Sequence, residues 1–61
     1  MRTYKYIEFF NNEIAIRKNL ETGNYQVIEN IPGYKIIVWS DHENLKDAKA
    51  NARALTKYAS I

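Results

Sequence analysis

The stretch YKIIVWSDHENLKDAKANARALTKYA, residues 34–59, decides the fold, because its apolar spacing changes period part-way along. Up to Trp39 the residues suit a pleated strand. Beyond it Leu45, Ala48, Ala52, Leu55 and Ala59 recur every three or four positions, the spacing of one helical stripe. This predicts a helix over about 42–59, and Ser40 followed by Glu43 has the form of a capping box at its start. The stripe is mostly alanine, which lets a helix backbone come close to a sheet, with Leu45 and Leu55 as the larger plugs. At 1.5 Å per residue the helix would run roughly 27 Å, against roughly 20 Å for a six-residue strand, and so would lie diagonally across the sheet.

Toward the N-terminus three turn signals separate runs rich in Tyr, Phe, Ile and Val. Asn11-Asn12 suits the two left-handed positions of a type I′ hairpin. Thr22-Gly23 forms a second turn, with Gly23 supplying positive φ, and Pro32-Gly33 fits the two central positions of a type II turn. Four strands follow, at about 4–10, 13–20, 25–31 and 34–39. The expected fold is α+β: a two-layer, four-stranded antiparallel β-meander followed by one C-terminal α-helix packed on one sheet face, β-β-β-β-α.

Sixty-one residues, 46% hydrophobic and 26% charged, leave too little chain for a second core, so residues 1–61 are expected to form one small domain. With no cysteine and a single histidine, His42, the chain offers neither a disulfide nor a thiolate metal site, and no cofactor is expected. No apolar run approaches the roughly 20 residues that cross a bilayer, and no signal-peptide apolar core follows the first residues. A cytoplasmic protein with no membrane partner is the expectation. Seven asparagines with abundant Ile, Lys and Tyr are what AT-rich codons encode, which points to a phage or an AT-rich bacterial source.

Two-residue turns would set Phe9 against Ile14, Ile7 against Ile16, Leu20 against Tyr25, Ile14 against Ile31 and Val27 against Val38, with Ile36 completing one apolar, helix-covered face. The other face would carry Tyr4, Tyr6, Glu8, Phe10, Glu13, Ala15, Arg17, Gln26, Ile28, Lys35, Ile37 and Trp39, and nothing remains in the chain to cover it. A three-residue turn with a bulge at Thr22-Gly23 is the alternative, and would exchange the faces of the last two strands. An open face bearing Tyr4, Tyr6, Phe10, Ile28, Ile37 and Trp39 is a larger apolar patch than solitary proteins usually expose, and implies a partner. Tyr6 would lie opposite Arg17, with Lys35 and Trp39 beyond. Trp, Tyr and Arg anchor protein interfaces, and aromatics interleaved with cations also form single-strand binding platforms. Glu8 and Glu13 would neutralise Arg17 and Lys35 on this face, which favours a protein, either a second copy in a homodimer or a larger target. Tyr6, Phe10, Arg17, Ile37 and Trp39 would be the central contacts.

The alternative is a small nucleic-acid-binding protein. Lys46, Lys49, Arg53 and Lys57, spaced three, four and four, gather into a basic ridge on the helix that could track phosphates. The same cations suit the C-terminal half of a helix dipole as a solvated face. The plan of a short antiparallel sheet and one helix is similar in outline to the arm-type DNA-binding domains of phage integrases, a resemblance of plan with no family motif behind it. Ser40, Asp41 and His42 are the residue types of a hydrolase triad, but as neighbours in sequence they cannot converge on one substrate atom. With no glycine-rich phosphate loop or paired-histidine motif either, the expectation is no enzyme and no small-molecule substrate.

Overall fold

The computed structural model describes residues 3–59. Four strands, β1 (Tyr4–Phe9), β2 (Ile14–Asn19), β3 (Tyr25–Asn30) and β4 (Ile36–His42), form one antiparallel sheet in the order β1-β2-β3-β4, followed by the helix α1 (Leu45–Ala59). The helix crosses β2, β3 and β4 on one face and does not lie over β1. Beneath it Ile14, Ile16 and Val27 meet Ala48 and Ala52, all buried, with Phe10, Tyr25, Leu45 and Leu55 packed around them. Ala59, expected at the end of the stripe, ends the helix, and its side chain lies outside the described residues. Principal extents of 34 × 28 × 15 Å accommodate these two layers, since a third would add about 10 Å to the thin direction.

The turns are built differently from the two-residue hairpins that the sequence suggests. No residue other than glycine has positive φ among those described, so Asn11-Asn12 does not make a type I′ turn. Instead the Asn11 side-chain oxygen accepts from the amides of Glu13 and Ile14 at 2.7 and 2.6 Å, and the Phe10 amide donates to the Ile14 carbonyl at 2.9 Å. This wider turn pairs Phe9 with Ala15 and Glu8 with Ile16, one position away from the expected register. Ile7 is then the extra residue of a bulge, and beyond it Tyr6 again faces Arg17.

At the second turn Asn19 repeats the device, its side-chain oxygen accepting from the amides of Glu21 and Thr22, while Gly23 takes φ +80° and donates to the Asn19 carbonyl. Lys18 pairs with Tyr25 and Ile14 with Glu29, two positions from expectation. A shift of two keeps every side chain on its face. Leu20 and Ile31, expected in the core, fall outside the strands because the turns are longer.

Pro32-Gly33 makes the expected type II turn, with Gly33 at φ +72° and the Tyr34 amide donating to the Ile31 carbonyl at 3.0 Å. The strands leave it one residue out of the expected register, so Ile28 pairs with Val38 and Glu29 with Ile37. A bulge at Trp39 then restores the parity, and Val27 pairs with Ser40 and Tyr25 with His42. Ser40 therefore belongs to β4 and does not cap the helix. The cap is Asn44, whose side-chain oxygen accepts from the Asp47 amide at 2.9 Å and whose side-chain NH₂ donates to the Asp47 carboxylate at 3.0 Å. Asn44→Ala is expected to lower stability by about 1 kcal/mol in urea titration. An unchanged midpoint would show that Asn44 does not cap α1.

Candidate functional site

Two rows of side chains cross the sheet on the face that α1 leaves open. The first is apolar: Phe9, Ala15, Ile28 and Val38 stand side by side on β1 to β4. Its centre is closed, with Ile28 at 0% and Ala15 at 3% exposure, and its ends are open, with Phe9 at 69% and Val38 at 47%. Ile36, also exposed, continues the apolar end of β4 from its place opposite Asn30. The bulge at Ile7 brings Tyr6 and Phe9 onto this one face, where their rings stack with centroids 5.3 Å apart and planes 2° from parallel.

The second row is polar and runs from Tyr6 through Arg17 and Gln26 to Asp41. The Arg17 guanidinium lies 3.7 Å from the centre of the Tyr4 ring, and its Nε donates to the Gln26 side-chain oxygen at 2.9 Å. Gln26 in turn donates to one Asp41 oxygen at 3.3 Å, and Asn24 donates to the other at 2.8 Å. Stacking and hydrogen bonding hold Arg17 in place with only 9% of its surface exposed. No carboxylate forms an ion pair with it among the described residues. Such a fixed guanidinium can receive two oxygens of an anionic group without losing much side-chain entropy.

Of the residues expected on the open face, Tyr4, Tyr6, Ala15, Arg17, Gln26 and Ile28 stand there. Phe10 does not: it leaves β1 and packs against the core beneath the helix. Glu8 turns to the helix side and sits 3.5 Å from Lys49. Ile37 shares the helix side with Glu29, and Trp39, the extra residue of the β4 bulge, donates from its indole N–H to the Glu29 carboxylate at 3.0 Å. Glu13 and Lys35 lie in connections outside the strands, Lys35 beside the exposed Tyr34 at a shallow depression. Phe9, Ile36, Val38 and Asp41 take the vacated places. The one-residue slips at two turns move them, and no local pattern in the sequence marks a bulge at Ile7 or Trp39.

On the other layer, Lys46, Arg53 and Lys57 are exposed along α1, while Lys49 is half-buried and leans to Glu8. Ser40 and His42 meet on the helix side of β4, their Oγ and Nε2 2.9 Å apart, and the Ser40 hydroxyl also bonds Asn51 of the helix at 3.0 Å. His42, expected at a helix start, is instead the last residue of β4. Asp41 faces the opposite way, so the three do not converge. Among the described residues no three His, Asp or Glu side chains gather as metal ligands would.

No family model, curated protein or solved structure matches the chain. The outline similarity to integrase arm domains therefore contributes a plan of sheet and helix and no function. No described helix is long and apolar enough to cross a membrane.

Proposed function

We propose that the chain is a non-enzymatic interaction module that docks a protein, a second copy of itself or a larger target, on the open face of its sheet. The observation that supports this best is the apolar row, closed at Ile28 and Ala15 and open at Phe9 and Val38, on a face that no second element covers among the described residues. Exposed aromatic and aliphatic side chains beside one fixed arginine are the kinds of residue that anchor protein interfaces. The nucleic-acid reading has its cations divided between layers. Among the described residues Arg17 is the cation of the two rows on the open face, with Asp41 in its own row, while exposed Lys46, Arg53 and Lys57 lie on the helix and exposed Lys5 and Lys35 lie on β1 and in the β3–β4 connection.

Val38→Lys separates the two. A charge in the apolar row should weaken association with itself or with a captured protein by at least about 2 kcal/mol in sedimentation or calorimetry. Binding of a mixed-sequence oligonucleotide, followed by fluorescence anisotropy, should instead tighten with the added cation. Equal association of the variant and the parent protein with every ligand would show that the open face is not a contact surface.

A further inference from the structure

We infer that the open face is completed by a second copy of this chain, packed face to face in one register, with Arg17 of each copy on Asp41 of the other. This rests on the open face being the contact surface, and adds the occupant and its placement. Arg17 uses Nε for Gln26 and its flat side for Tyr4, and its two Nη groups have no partner among the described residues. Among the described residues every fully buried side-chain nitrogen or oxygen has a partner, so the Nη edge is the part of this otherwise buried side chain that still meets solvent. A guanidinium so placed lacks one thing, a carboxylate arriving from outside the chain.

The row itself supplies that carboxylate. Asp41 is exposed and lies two strands from Arg17, and within one chain Gln26 stands between them, bonded to both, with no ion pair formed. Take a two-fold axis running along β3, midway between two facing sheets. β3 then lies over β3 of the second copy, β2 over its β4, and β4 over its β2. In the polar row Gln26 meets Gln26, and Arg17 meets Asp41 twice. In the apolar row the same operation brings the half-exposed Val38 of each copy over β2 of the other beside the small Ala15, with Ile28, closed within its own sheet, at the axis and Phe9 of β1 beyond the overlap. One symmetry operation therefore satisfies charge and size together, as an isologous interface requires. The two sheets would pack about 10 Å apart with strands within about 30°, the ordinary geometry of a β-sandwich. Joining edge to edge is the competing arrangement, and both edge strands oppose it: β1 is bulged at Ile7 and β4 at Trp39.

Sedimentation equilibrium on the full chain tests this, with far-UV circular dichroism to check folding. The wild type is expected to be a reversible dimer. Arg17→Asp and Asp41→Arg each create two like-charge pairs across the axis and should weaken self-association at least about 100-fold. An equal mixture of the two variants should recover the dimer, as a one-to-one pair in native mass spectrometry, because each cation then meets a carboxylate. Asp41 is on the surface, so Asp41→Arg alone carries the test if Arg17→Asp does not fold. A wild type that stays monomeric overturns the second copy, and the Val38→Lys comparison on a captured protein then decides the open-face reading. A dimer that Val38→Lys breaks and Asp41→Arg leaves intact overturns the register alone. A dimer that neither variant changes overturns both.

Discussion

Ile16→Ala is expected to leave much of the protein unfolded near room temperature. Ile16 is fully buried in the middle of β2, between β1 and β3 and beneath Ala48 and Ala52. Removing three carbons there costs about 2–5 kcal/mol, the transfer term plus the cavity left behind. A domain of this length has only about 3–9 kcal/mol in total, at the usual stability per residue. A chain with one helix on one face of a small sheet has no second covered layer to compensate. Thermal melting should show the midpoint falling by at least about 10 °C. A fall of a degree or two would mean that the centre of the core is elsewhere.

Ala52→Leu should be nearly as damaging, for the opposite reason. Ala48 and Ala52 are both fully buried where α1 meets Ile14, Ile16 and Val27. Three extra carbons have no space there unless the helix lifts from the sheet, and overpacking of this kind costs about 1–3 kcal/mol. Ala54 is exposed on the same helix, so Ala54→Leu has the same effect on helix propensity without the steric conflict, and should change stability by less than about 0.5 kcal/mol. Equal melting points for the two variants would contradict the close approach of helix and sheet. The alanine stripe alone announces that approach, since small residues at helical spacing serve little other purpose on a buried face.

The open face was legible in part, and the pattern of hits and misses follows from the two-residue period of a strand. The second turn is two residues longer than the sequence suggests, and Ile14, Ile16, Tyr25 and Val27 still share the helix side, because an even shift preserves faces. The first and third turns depart by one, and an odd shift exchanges faces. It moved Phe9 out to the open face and Glu8 in, and it moved Val38 and Ile36 out and Ile37 in. Each odd shift ends at a bulge, after which Tyr6 opposite Arg17 and Ser40 opposite Val27 keep the parity of the simple hairpins. Arg17 thus keeps its expected place opposite Tyr6 on the open face, while Phe10, Ile37 and Trp39 stand elsewhere.

By itself the sequence determined the element order, the helix stripe and the positive φ of Gly23 and Gly33. These are local properties, set by side-chain period and glycine's missing Cβ. Tertiary structure alone decided which side chains share the open face. Asparagine can shape a turn by positive φ or by its side-chain oxygen, and at Asn11 and Asn19 the second route gives longer loops. The bulges at Ile7 and Trp39 then reconcile those loops with burial of Ile16 and Val27 under the helix, a balance set between strands that no single segment encodes.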